Sequence, residues 1–168
     1  MRPLLTLFIL LLSFSIHAQH QYEVSRNSDN EKILKGIISR DLIAKDTAFP
    51  WYAENEKGYT PFPKAVEGLK NHPEYELLVF MGTWCHDSHF IIPKFYKLVD
   101  ASGFPANQIT LIGTDEQKKT LSHLAEALGI KNVPTIIVLK DGKELGRVVE
   151  YGKYGMFDME LAEVLEGK

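Results

Sequence analysis

"FMGTWCHDSHFIIPKFY", Phe80 to Tyr96, holds the only cysteine of the 168-residue chain, Cys85. Just upstream, "YELLVFM" (Tyr75 to Met81) is a continuous apolar run bounded by turn residues. Such a run predicts a strand buried on both faces. It ends at Gly82-Thr83, and Trp84 leads into a segment with Ile91, Ile92, Phe95, Leu98 and Val99 at helical spacing. The spacing predicts a helix from about Cys85 to Val99, kinked at the internal Pro93. The single cysteine therefore falls at a strand-to-helix junction, beyond the carboxyl end of a strand, where open α/β sheets place their ligands.

A cysteine in the first helical turn lies near backbone N–H groups and the positive end of the helix dipole, both of which favour a thiolate. Ser88, three residues on, is expected to donate its hydroxyl to the sulfur, and protonated His89 to pair with the thiolate. Asp87 acts the other way, because a nearby carboxylate disfavours a second negative charge. His86, Asp87 and His89 are thus candidates for tuning the ionisation of the thiol. The competing reading is a small buried hydrophobe, a common fate of free cysteine. The polar neighbours Trp84, His86, Asp87, Ser88 and His89 weigh against it. Cys85, His86 and His89 are three potential metal ligands within five residues, but His72 and His123 are too distant in sequence to be assigned to the same set. Zinc or copper needs a fourth group or a supported open position, so neither a metal nor a cofactor is expected.

Residues 1–18, "MRPLLTLFILLLSFSIHA", have a basic start, an apolar middle and a small final residue. That is the pattern of a secretory signal, and the apolar run falls short of the roughly 20 residues of a membrane span. An exported protein, periplasmic or secreted, without a membrane span after signal removal is expected. The remaining chain carries 18 basic and 22 acidic residues, and no Lys/Arg block forms a phosphate-binding stripe. Nucleic acid is therefore not an expected partner. One cysteine excludes an internal disulfide, leaving a thiol that is either inert or reactive with something outside the chain.

Residues 19–27 read as polar and loose. "SDNEKILKGIISRDLIAK" reads as a helix, with Ser28 and Glu31 at capping-box spacing and Ile33, Leu34, Ile37, Ile38 and Leu42 on one face. The aromatic stretch Phe49 to Pro63 does not settle into one shape. "KAVEGLKN" reads as a short helix, "QITLIG" as a strand, and "QKKTLSHLAEALGI" as a helix on Leu121, Leu124 and Leu128 stopped by Gly129. "TIIVLKDGKELGRVVEY" reads as two strands joined by a type I′ turn at Asp141-Gly142, and "MFDMELAEVL" as a closing helix. Alternating elements followed by a hairpin imply an α/β fold, a mixed central sheet with helices on both faces, after an N-terminal helical extension.

These residues resemble the thioredoxin-like family. "TWCHDS" is similar to the family's W-C-x-x-C segment, and Pro93 falls where the family kinks its active-site helix. "NVPT" resembles the cis-proline segment, making Val133-Pro134 the expected cis bond, and "DGKELGRVVEYG" resembles the hairpin that follows, with Gly146 near a common glycine position. The likeness runs from about Tyr59 to Lys168, dividing the chain into a signal peptide (1–18), an N-terminal extension with one helix (19–58) and a thioredoxin-like domain (59–168). The chain further resembles exported thioredoxin-like proteins of Bacteroidetes-type bacteria, some of which share the "WY…Y.P" stretch seen from Trp51 to Pro61.

Two departures stand out. Ser88 replaces the family's resolving cysteine, and Val79 takes the place of its buried proton-relaying aspartate. The resemblance implies a monothiol thiol–disulfide oxidoreductase in which Cys85 forms mixed disulfides with protein or low-molecular-weight partners and Ser88 assists. Trp84, Val133, Pro134 and Thr135 would line the substrate groove. The alternatives are a non-catalytic binding module on the same fold and a thiol redox sensor.

Overall fold

The computed structural model describes residues 21–167; the expected signal peptide, 1–18, lies outside them. Six strands form one sheet in the order β1-β2-β4-β3-β5-β6: β1 (Tyr22–Arg26), β2 (Lys32–Ile38), β3 (Glu76–Met81), β4 (Ile109–Gly113), β5 (Thr135–Lys140) and β6 (Lys143–Val149). Only β3 and β4 run parallel, and every other neighbour is antiparallel. Side chains alternate across β3: Leu77, Val79 and Met81 enter the larger core, while Leu78 and Phe80 enter the smaller. A strand covered on both faces leaves no polar side to alternate with.

The larger core is filled from α1 (Arg40–Ala44), α2 (Trp51–Glu56), α3 (Pro63–Asn71), α4 (His86–Ser102) and α6 (Phe157–Leu165), and the smaller from α5 (Leu124–Ala127). The fold is the expected thioredoxin-like α/β layer, and α4 continues through Pro93 to a left-handed stop at Gly103. No helix among the described residues is long and apolar enough to cross a membrane.

The N-terminal segment corrects the expected helix over 28–45 and the loose stretch before it. Residues 22–38 form a β-hairpin, and β2 pairs with β4, so the extension enlarges the sheet rather than capping it. Asn27 Oδ1 accepts the N–H groups of Asp29 and Glu31, and Asn30 takes a positive φ of 64°. "SDN" is thus an Asx-type turn, not a helix cap. Gly36, at φ 119°, leaves no room for a Cβ, which would come within 2.3 Å of Gln21 O. Helix is confined to the short α1 and α2.

The expected helix over 117–130 is also mostly absent. Ser122 and His123 are left-handed, and Thr120 Oγ1 takes the Ala125 N–H. One short turn and α5 remain, burying Ala125 and Ile130 while Leu121, Leu124 and Leu128 stay half-exposed.

Candidate active site

Four segments meet at Cys85. Thr83 to Cys85 leave the end of β3, α4 begins at His86, the 133–135 segment enters β5, and the loop after β6 is bonded to that segment. Cys85 is the N-cap of α4, with extended backbone, and its carbonyl accepts the His89 N–H. The half-exposed sulfur donates to Val133 O at 3.1 Å. The Val133–Pro134 peptide is cis. Pro134 O in turn accepts the Glu150 N–H at 2.7 Å, which ties the β6 loop to the same segment. Val133, Pro134 and Thr135 are all buried, and Thr135 Oγ1 donates to Asn132 O.

Ser88 does not serve the sulfur as expected. Its fully buried oxygen accepts the Gly82 N–H at 3.1 Å, an inward bond that braces the turn from β3 into α4. His89 likewise departs from the role of thiolate partner. Its Nε2 lies 2.7 Å from Thr83 O, and its ring stacks on Trp51 at 4.4 Å and 12°. A carbonyl only accepts, so Nε2 carries the proton. Burial pushes the pKa of His89 down, which favours neutral imidazole. His86 is exposed, its ring 5.6 Å from that of His89.

Trp84 is half-exposed and donates its indole N–H to Thr114 O at 2.9 Å. It lies over Gly82 so closely that a Cβ there would stand 2.6 Å from the ring, which is why a glycine is required. Lys118 Nζ sits 5.3 Å from the same ring.

Three contributors were missed from sequence. Thr83 is nearly fully buried, donating to Lys32 O and accepting from Leu34 N. Phe90 and Tyr151 pair at 5.7 Å beside the start of α4. The pKa of Tyr151 is raised, first by burial and then by the carboxylate of Asp87, with the charge of Cys85 adding to it. Tyr151 follows Glu150, whose φ is 53°, and that turn brings the ring back toward α4. A polar residue between Gly82 and Trp84 was the one available sign of Thr83. Nothing local marks Tyr151.

Among the described residues no group of three or more His, Cys, Asp or Glu is placed to hold a metal ion. A cavity of about 620 Å³ is lined by Arg40, Tyr96, Asp100 and Phe104. It lies near the far end of α4, about 25 Å along a 17-residue helix from Cys85. Its Arg40 guanidinium is already engaged by Asp100 through two bonds.

The chain's family match covers residues 62–159 and carries the description Thioredoxin. It is 26% identical to a thioredoxin of Alicyclobacillus acidocaldarius over 62% of this chain and 91% of that one. It is 32% identical to an H-type thioredoxin of Oryza sativa subsp. indica over 52% of this chain and 67% of the other. Among solved structures, an HIV epitope-scaffold is similar with a TM-score of 0.50 and 17% identity, over 70% of this chain and 84% of that one, a likeness of fold alone.

Proposed function

This chain belongs to the thioredoxin family, and from that premise we propose that it is an exported monothiol thiol–disulfide oxidoreductase working through Cys85. The observation carrying this reading is the single half-exposed thiol at the head of α4, hydrogen-bonded to the carbonyl that precedes a cis-proline. In the resting state the thiol S–H donates to Val133 O. Ionisation releases that proton to solvent and frees the carbonyl to accept from an extended substrate backbone, a form of strand addition.

The thiolate attacks one sulfur of a protein or low-molecular-weight disulfide. The Sγ–S bond forms, the substrate S–S bond breaks, and the departing thiolate takes a proton from water. With serine at 88 there is no internal thiol to release the adduct. A second, external thiolate attacks the mixed disulfide and regenerates Cys85, becoming disulfide-bonded to the substrate sulfur. Trp84 and the 133–135 segment form the groove, and Ser88 keeps its shape from behind. The export half of the reading rests on the composition of residues 1–18.

The test is trapping under non-reducing conditions, with Cys85→Ala as control, followed by turnover of a glutathionylated peptide with free glutathione. Cysteine-dependent adducts that glutathione releases catalytically are expected. Adducts without turnover would turn the assignment to a binding module that captures partners in the same groove. Absence of adducts altogether would end the thiol reading.

A further inference from the structure

We infer that the N-terminal hairpin and α2 belong to the working site, holding the Cys85 loop in shape through three positioning residues, Thr83, His89 and Trp51. The inference rests on the reading of Cys85 as the reactive thiol, but its geometry stands independently. Lys32, Leu34 and Trp51 all precede the 62–159 family match, so these contacts are additions to it.

Thr83 is gripped twice. Its hydroxyl donates to Lys32 O at 2.9 Å and accepts Leu34 N–H at 3.2 Å, so β2 uses both its donor and an acceptor site. Its carbonyl accepts His89 Nε2–H at 2.7 Å. His89 is held in turn by its stack on Trp51 of α2. Lys32 is itself fixed by an ion pair with Asp46 and by the ring of Phe49 at 5.9 Å.

The residues between these anchors aim the sulfur. The loop's own bonds are few: Cys85 N–H to Gly82 O at 3.1 Å and Gly82 N–H to Ser88 Oγ at 3.1 Å. Thr83 and Trp84 lie between the two partners of the first bond. A rotation at Thr83 would carry Cys85 with it and pull the sulfur from Val133 O. The side chain of Thr83 resists that rotation from β2, and its carbonyl resists it from α4. A segment that served only to cover apolar surface would have no use for a buried hydroxyl bonded twice to the opposing strand.

The test uses the full chain and four forms: natural, Thr83→Val, Thr83→Ser and Trp51→Leu. Two quantities are read: amide hydrogen exchange at Gly82 and Cys85 relative to the amides of β3 and β5, and the rate of Cys85 alkylation by iodoacetamide. Thr83→Val and Trp51→Leu should speed loop exchange about tenfold or more without a matching rise in β3 and β5. Both should change the alkylation rate by roughly threefold or more, since access and orientation govern thiol reaction. Thr83→Ser, which keeps the hydroxyl, should restore both. Should Thr83→Val fail to fold, Trp51→Leu decides the matter from the partly buried side. Unchanged loop exchange, or a rise uniform across β3 and β5, would overturn the inference. A natural chain whose thiol ignores both iodoacetamide and disulfides would remove the oxidoreductase reading, while the exchange data would still decide the anchoring.

Discussion

Cys85 and Ser88 share one helical turn but serve opposite sides of it: the sulfur donates outward to Val133 O, and the Ser88 oxygen accepts inward from Gly82 N. The serine is a brace for the turn, and the cysteine is free to react without it. Residues three apart on a helix are neighbours, within the Cα separation of about 4.4–6.8 Å that a disulfide spans. Ser88→Cys should therefore form an internal disulfide on oxidation and gain insulin-reducing activity with dithiothreitol. Sulfur is a weaker acceptor, so the buried Gly82 N–H should cost about 1–3 kcal/mol of stability. Adding Val79→Asp, at a fully buried position, should raise turnover further if the doubly altered chain folds. Thiol titration before and after oxidation checks the first step; a folded variant retaining two free thiols would refute the placement.

Gly82 sits under the indole of Trp84, with no space for a methyl group. Gly82→Ala should push Trp84 off Thr114 O, cost about 1–3 kcal/mol as an overpacking change, and shift tryptophan emission toward that of a solvated indole. Denaturant unfolding followed by fluorescence reads both effects. An alanine variant of natural stability and spectrum would show that the ring does not need this contact.

His89 predicts a pH dependence of stability. Its pKa lies below the ordinary 6.5, chiefly through burial; the Thr83 carbonyl opposes the shift, His86 adds to it and Glu31 counters it. Arg26 and Lys32 line the same cleft. Well above pH 6.5 both folded and unfolded chains hold neutral imidazole, and the group contributes no slope. As pH falls below 6.5 the unfolded chain binds the proton first, so stability declines until the folded His89 also titrates. Asp46 and Asp115 also have lowered pKa values, the first through its bond to Lys32, the second because Lys35 and backbone N–H groups outweigh an opposing burial, and both weaken the fold only as pH falls toward and below 3.8. His89→Gln should flatten the urea midpoint between about pH 7.5 and 5. Equal slopes in the two chains would contradict the burial of a neutral ring.

Asp158 is buried at 1% exposure and accepts from Tyr59 Oη at 2.6 Å and Phe62 N at 2.9 Å. Burial, followed by this carboxylate, pushes the pKa of Tyr59 upward. Tyr59→Phe should cost about 1–3 kcal/mol by removing one donor from a buried acceptor. Asp158→Ala should cost more, since it leaves both Tyr59 and the Phe62 N–H without their partner. Chemical denaturation of the two variants tests the order, which reverses if the contact is incidental.

Much of the site's frame was readable because its signals are local. The apolar run of β3, the helical spacing after Cys85 and the Asp141-Gly142 turn each carry their own periodicity or turn chemistry, and the structure has strand, helix and hairpin there. The N-terminal hairpin was not readable. Ile33 and Leu34 are buried side by side while Ile37 is exposed, so β2 breaks strict strand alternation and imitates a helical face. Gly36 and the Ser28-Asp29-Asn30 run were the available warning. In the 117–130 segment, regular leucine spacing outweighed any sign that Ser122 and His123 would turn left-handed.

The sequence by itself determined the lone thiol, its position between strand and helix, the absence of a partner cysteine and the proline at 134. Tertiary structure alone decided what each neighbour does. Ser88 turned inward to Gly82, His89 turned to Thr83 and Trp51, and the hydroxyl of Thr83 was claimed by β2, 51 and 49 residues away along the chain. The physical reason is that each of these groups has several partners within reach of its own helix or turn. Which one it takes depends on which buried donor or acceptor would otherwise go unpaired, and that is set only when distant strands close around it.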